Sequence, residues 1–358
     1  MKKICAVCQV KDDADVIESF CRYHLVFLDA LVIWDDNSSD ATPEIVRKMI
    51  EEGLPIELKS VPPSVPLERD FLHYHPRMVN SRCIETMNRY DADWVLSLDV
   101  DEFLFCEDGQ NPRHELEMLD EATEHLMYWR TSVYNREPTD SKVFLPNYFE
   151  EYRDPALESF PKTILSRYLA EKYGAVFEPG WHGLEISDED ARTAVPKVIH
   201  PLLRVAHFPI RSVAHAIVKV VCMHLRFFYV KHKLIQYEKM YCQIKQTGIP
   251  THEQVRQLSL EYALFQEQLG SPIGTIRRFR GALSADFLSD EIQLLYTDYQ
   301  KSNYMGAILS FFEGMLDKIA IEAARPNEPV EIAEHVSSRK PALIMAIQKL
   351  LKRGGFYE

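Results

Sequence analysis

With 358 residues, 46% hydrophobic and 27% charged, the chain is long enough for one large core plus an appended element and too apolar to remain disordered. Its 54 acidic against 41 basic residues leave a net charge of −13, so a nucleic-acid partner meets a repulsive average field and is not expected. A small anion such as a nucleotide diphosphate remains compatible, because a divalent cation reverses the local sign.

The opening Met1 to Val7 has lysines and an apolar run, but Lys11, Asp12 and Asp13 end that run too early for a signal peptide. No uncharged apolar stretch of about 18 residues follows, so no membrane span is predicted and a cytoplasmic protein is expected. Residues 2–10 read as a strand. From Asp15 to Leu25, Val16, Phe20 and His24 recur with Ile17 and Cys21 at helical spacing. Residues 28–34 give a second strand, ending in the loop-forming Asp35-Asp36-Asn37-Ser38-Ser39-Asp40. Thr42 as N-cap, Pro43 as the first helical residue and Gly53 past the end bracket a second helix. Residues 56–61 form a third strand before a proline-rich loop over 62–66. Val79, Cys83, Met87 and Tyr90 mark a helix over 76–90, and residues 94–98 a fourth strand.

Repeated βα units with nearly continuous apolar strands predict an α/β domain with a mostly parallel sheet flanked by helices. Seven scattered cysteines suit free thiols; Cys5 and Cys8 have the spacing of half a zinc site but point to opposite faces of a strand, which favours buried thiols. Beyond residue 125 the strand signals shorten, at 126–131, 163–165, 195–199 and 203–207. Helices are predicted at 212–245, 251–269 and 289–324, with a short linker near Pro326 to Pro329. The predicted organisation is a catalytic domain over 1–215 and a helical region over 216–358.

The central motif is Leu98-Asp99-Val100-Asp101-Glu102-Phe103-Leu104. Ligands of an open parallel sheet bind beyond the carboxyl ends of its strands, where these acids emerge. Carboxylates at i and i+2 can share Mn²⁺ or Mg²⁺ while phosphate oxygens fill the other positions. An Asp-x-Asp string alone is common and also fits a solvated loop; Asp35 and Asp36, ending another strand at the same edge, strengthen the binding reading.

Val10-Lys11-Asp12-Asp13-Ala14-Asp15-Val16-Ile17 with His24, then Val32 to Thr42, then Trp94 to Leu104, together resemble the family 2 glycosyltransferases of the GT-A (Rossmann-like) fold. The nearest likeness is to the subgroup whose strand ends in Asp-Val-Asp-Glu-Phe-Leu. The resemblance implies a UDP- or GDP-linked sugar donor, a divalent cation, a glycan or lipid-linked hydroxyl acceptor and inversion at the anomeric carbon. Carried over by position, it places Val10 and Lys11 beside the nucleotide, Asp36 at the base or ribose, and Asp99 and Asp101 at the ribose, diphosphate and metal. The family often has Lys-Asn-Glu where this chain has Lys11-Asp12-Asp13, and Gly-Thr where it has Ala41-Thr42.

His207-Phe208 looks like the family's His-Tyr/Phe motif, which makes His207 a third metal ligand, although a structural histidine is the ordinary reading of the residue alone. Arg211 and Lys219 fit either phosphate contacts or a solvated helix start. Inversion requires a base for the acceptor hydroxyl, and His182 and Glu185 in the Trp181 to Asp188 segment are the candidates, against a plain charged loop. Lys162 and Arg167, flanking a predicted strand, read as surface charges before donor contacts. The aromatic and basic stretch 224–233 reads first as a packed helix with basic edges; a second reading rests it on an anionic membrane at the inner face. Two competing functions stay open: a nucleotidyltransferase, although Asp12-Asp13 occupies the place of a Gly-rich phosphate loop, and a non-catalytic nucleotide-sugar-binding module.

Overall fold

The computed structural model describes residues 1–61, 71–153, 161–230, 235–264, 276–278, 287–288 and 292–298. Its first elements alternate as expected: β1 (Ile4–Val10), α1 (Ile17–His24), β2 (Ala30–Asp35), α2 (Thr42–Glu51), β3 (Ile56–Ser60), α3 (Phe71–Tyr90) and β4 (Trp94–Ser97). The strands lie in the order β4, β1, β2, β3, all parallel, with Val7 opposite both Val32 and Ser97. Alternation along β1 supplies two cores. Ile4, Ala6, Cys8 and Val10 join Phe20 of α1 and Ile45 and Val46 of α2, while Cys5 and Val7 meet Val79, Cys83 and Met87 of α3. Cys5 and Cys8 are therefore buried free thiols on opposite faces, and burial pushes Cys5 up to about 11.

After β4 the chain continues as β5 (Glu102–Cys106), α4 (Pro112–Glu117), β6 (Glu124–Val133), β7 (Glu151–Arg153), β8 (Pro161–Ser166) and α5 (Arg167–Tyr173). A small ribbon of β9 (Val176–Phe177) and β10 (Leu184–Glu185) precedes α6 (Glu189–Ala194), β11 (Lys197–Ile199) and β12 (Leu203–His207). Strand β8 runs antiparallel to β4 and carries the sheet on to β6. β12 pairs parallel with β6 and antiparallel with β5, setting His207 opposite Glu102. The result is the expected α/β architecture, a central sheet flanked by helices, with β5 and β12 curling over the carboxyl edge of the parallel strands.

Helices α7 (Val213–Val230), α8 (Ile235–Thr247) and α9 (His252–Leu264) follow, and β13 (Ile276–Arg278) pairs with β7. α9 lies against β6: the Ser259 hydroxyl accepts the Tyr134 N–H at 2.8 Å.

Several expectations are corrected. The predicted helix over 212–245 is two helices, and the Thr42 hydroxyl does not cap α2 but donates to Asp40 and accepts the Asp13 N–H, tying two loops together. Gly53, at φ 90°, does end α2 as expected, in the left-handed region a glycine tolerates. Residues 292–298 have no regular structure; the remainder of the predicted 289–324 helix and the 326–329 linker lie outside the described residues. The same holds for the side chains over 224–233, so the surface proposed for a membrane is not described. No helix among the described residues is long and apolar enough to cross a membrane.

Candidate active site at the carboxyl edge of the sheet

Three loops meet where β1, β2 and β4 end. The loop after β1 and the loop after β2 are laced together: the Asp12 N–H donates to the Ser38 hydroxyl (2.9 Å), the Ala14 N–H to Asp40 (3.0 Å), and the Ser39 N–H to Asp12 (2.6 Å). Asp12 and Asn37 sit at φ 56° and 55°, a conformation short polar side chains tolerate when local hydrogen bonds hold them. Here those bonds are present. The Lys11 ammonium donates to the Asp36 carbonyl oxygen at 2.9 Å, and the Asp36 N–H to the Val10 carbonyl oxygen at 2.8 Å. Val10, Lys11 and Asp36 thus converge. Beside them the buried Arg82 lies over the Trp34 ring at 4.1 Å and donates to Gln9 at 2.7 Å.

The acidic motif is a tight turn. The Glu102 N–H donates to the Asp99 carbonyl oxygen (3.0 Å), and the Asp99 N–H returns to the Glu102 carboxylate (2.9 Å). β5 then pairs with β12, and the Phe208 N–H donates to the Asp101 carbonyl oxygen at 2.9 Å. This pairing brings the two distant motifs together: Asp101 Oδ2 stands 3.6 Å from His207 Nε2.

His207 is buried and stacks on Trp129 with ring centroids 4.5 Å apart. Register explains the stack, since Val205 is the β6 neighbour of Trp129 and His207 lies two residues further on the same face. Burial lowers His207 to about 4 although Asp101 opposes the shift, so the ring is neutral near pH 7. Neutral imidazole is the form that binds a metal. Ligands of one octahedral cation with bonds of about 2.1 Å lie about 3 Å apart, so a small closure lets Asp101 and His207 share an ion. The pair fits a site that leaves its other positions to phosphate oxygens and water. Among the described residues no group of three His, Cys, Asp or Glu side chains converges as a metal cage.

Asp99 faces elsewhere. Its carboxylate lies 3.2 Å from the Lys162 ammonium, which also lies 3.1 Å from Glu102. Lys162, expected at the surface, is 1% exposed. The reason is its strand: β8 runs antiparallel to β4, so the start of β8 lies at the end of β4. Burial alone pulls the Lys162 pKa down, but Asp99 and Glu102 outweigh it and hold the ammonium above its ordinary value. Glu102 is raised to about 8, chiefly by burial.

Arg211 is likewise not a solvated helix start. It is buried and donates to Asp15 at 2.8 and 2.9 Å and to Asp13 at 2.9 Å, and lies 3.9 Å from Asp101. It clamps the loop after β1 to the chain leaving β12. The Lys219 ammonium donates to the Pro209 carbonyl oxygen at 2.7 Å and lies 5.2 Å from the Tyr262 ring. Tyr262, on α9, is 6.0 Å from the His207 ring, so a helix of the C-terminal region reaches this site. Arg167 sits at the other edge, donating to the carbonyl oxygens of Met87 (2.6 Å) and Ala92 (3.1 Å).

The two base candidates separate. His182 is half-buried; its Nδ1 lies 2.8 Å from the Pro161 carbonyl oxygen and its ring meets Trp129 edge-on at 5.3 Å. A Cβ on Gly180, itself at φ 85°, would stand 2.8 Å from His182 Nε2, so that glycine makes room for the ring. Burial lowers the His182 pKa. Glu185 is exposed on the β9–β10 ribbon and has no ion pair or hydrogen bond with Asp99, Asp101, His182 or His207.

Motif reading passed over Glu102, Trp129, Asp13, Asp15 and Tyr262, and it placed Lys162 at the surface first. Only Glu102, Asp13 and Asp15 had a local signal, as acids inside quoted motifs; the places of Lys162, Trp129 and Tyr262 depend on pairings between distant segments.

No protein-family model matches the sequence, and no curated protein matches it. Solved structures that align with it include Staphylococcus aureus TarS 1–349, at 13% identity and TM-score 0.33, covering 95% of this chain and 91% of that one. A Pyrobaculum calidifontis mannosyltransferase in complex with GDP-Man and Mn²⁺ aligns at 14% identity and TM-score 0.32, covering 99% and 86%. Glucosyl-3-phosphoglycerate synthase from Mycobacterium tuberculosis aligns at 18% identity and TM-score 0.24, covering 36% and 44%. Scores of this size assign no activity, ligand or substrate to the chain.

Proposed function

We propose that the chain is a glycosyltransferase that takes a sugar from a UDP- or GDP-linked donor and passes it, with inversion, to a hydroxyl of a glycan or lipid-linked acceptor. The observation that carries this reading is the convergence of Asp101 and His207, 3.6 Å apart, with the acidic turn at the carboxyl edge of parallel strands. Asp101 and His207 hold a divalent ion, Mn²⁺ or Mg²⁺. When bound, that ion supplies Lewis-acid neutralisation of the departing diphosphate.

The chain's own residues do the rest. Val10, Lys11 and Asp36 border the nucleoside, Lys11 by fixing the Asp36 backbone and Asp36 by offering its carboxylate to base or ribose donors. Lys162, buried between Asp99 and Glu102, keeps the turn in shape and adds positive charge beside the diphosphate. His182 is the base that takes the proton of the acceptor hydroxyl. Its Nδ1 proton is engaged by a carbonyl oxygen, which leaves Nε2 as the basic nitrogen, whereas Glu185 lies outside this group.

The test is incubation of the protein with a panel of nucleotide-sugars and Mn²⁺, scoring slow donor hydrolysis. Release of UDP or GDP from one donor class, lost on removal of the metal, is the expected result. Cleavage of nucleoside triphosphates instead would favour a nucleotidyltransferase, and tight binding with no cleavage a non-catalytic module.

A further inference from the structure

An acidic turn at a sheet edge attracts divalent ions whether or not a donor is present, and three carboxylates, Asp99, Asp101 and Glu102, crowd this one. Lys162 answers that charge from inside the fold. Its ammonium is 3.2 Å from Asp99 and 3.1 Å from Glu102, 5.4 Å from the Trp129 ring centroid. The place of the ammonium is set by sheet register and not by a loop, with Lys162 beside Met127 of β6 and Ile164 beside Leu96 of β4. Asp101, on the same turn, faces His207 instead.

We propose that Lys162 is a positioning residue, a built-in counter-cation that holds the Asp99 carboxylate away from the Asp101–His207 pair so that the site takes up its divalent ion together with a nucleoside diphosphate. The inference rests on the function proposed above. With Asp99 held by the ammonium, two protein ligands remain, and Mg²⁺-like ions bind such sites weakly until phosphate oxygens complete the shell. Without the ammonium, Asp99, whose side chain is 56% exposed, turns toward Asp101 and His207 and makes a three-ligand set. Lys162 thereby ties metal uptake to donor arrival.

Mn²⁺ titration followed by electron paramagnetic resonance, with and without UDP or GDP, tests this. Wild-type protein binds Mn²⁺ about tenfold more tightly with one of the nucleotides than without; no change with either would overturn the functional reading itself. Lys162→Met raises the nucleotide-free Mn²⁺ affinity by about tenfold, the scale on which residues behind a metal ligand act. An unchanged affinity in a folded Lys162→Met protein, with the wild-type nucleotide effect intact, would overturn the inference alone. Where that variant does not fold, Asp99→Asn and Asp101→Asn decide. Nucleotide-free affinity stays within about twofold of wild type for Asp99→Asn and drops about tenfold for Asp101→Asn; equal losses in both would overturn the role given to Lys162.

Discussion

Lys162 near the start of β8 and Arg167 just past its end are used at opposite edges of the sheet. Lys162, at the edge where β1, β2 and β4 end, is buried among carboxylates; Arg167, at the edge where they begin, is partly exposed and closes the end of α3 through the Met87 and Ala92 carbonyl oxygens. Arg113 belongs to that second edge too, joining Asp29 at 2.7 Å and the Phe27 carbonyl oxygen at 3.2 Å. At the starting edge Arg167 and Arg113 bind backbone carbonyls and partly exposed acids, whereas at the finishing edge Lys162 and Arg211 are desolvated, each beside more than one carboxylate. The second arrangement concentrates charge in a low-dielectric place, as a binding site needs and a purely structural edge does not.

Substitutions at the two edges should therefore fail differently. Asp101→Ala removes a ligand of the proposed ion, and transfer drops by on the order of 10² to 10³ with little change in the melting curve, read by donor turnover with Mn²⁺. Near-normal turnover in that variant would break the contrast. Arg211→Ala leaves Asp13 and Asp15 buried without their partner and costs about 3–5 kcal/mol in urea unfolding. A loss below about 1 kcal/mol would mean that the clamp is weaker than its geometry.

His24 sharpens the comparison from the core behind the site. Its Nδ1 donates to the Phe20 carbonyl oxygen at 2.9 Å and its Nε2 accepts the Leu104 N–H at 3.3 Å, so the neutral ring satisfies both partners and burial lowers its pKa to about 3. Unfolded, the same ring takes a proton near its ordinary value of about 6.5. Between those values the unfolded chain holds the extra proton, so this group's contribution falls as pH falls. His24→Gln should flatten the acid side of the stability curve by about 1.4 kcal/mol per pH unit between pH 6 and pH 4. An unchanged slope would show that His24 is protonated in the folded protein. The smallest effect belongs to Arg167→Ala: about 1 kcal/mol of stability from lost carbonyl bonds, with donor turnover unchanged. A fall in turnover there would dissolve the distinction between the edges.

How far the sequence discloses this arrangement follows from the range of the interactions. The first four strands and three helices are legible because period-2 and period-3.6 patterns are local and the loops carry their own turn residues. The Asp99 to Asp101 turn is legible for the same reason. By contrast β5 looks like more of the loop after β4, since Glu102-Phe103-Leu104 reveals its pairing only against β12, about a hundred residues later. Lys162 and Arg167 carry the same sign and flank one apolar run, and only the antiparallel direction of β8 tells which of them meets the acids. Arg211 is similar: its sequence neighbours suggest a helix start, and its partners Asp13 and Asp15 lie 198 and 196 residues away along the chain. His207 is singled out in the sequence only through the family resemblance, and what brings it beside Asp101 is the β5–β12 register.

The account stands on a divalent ion shared by Asp101 and His207. The most direct measurement is anomalous diffraction from crystals grown with Mn²⁺ and UDP or GDP. The predicted result is one manganese peak within about 2.3 Å of both Asp101 Oδ2 and His207 Nε2, with diphosphate oxygens completing the shell and Lys162 still against Asp99. Manganese bound away from His207, or a diphosphate seated at this edge with no metal beside it, would contradict the account.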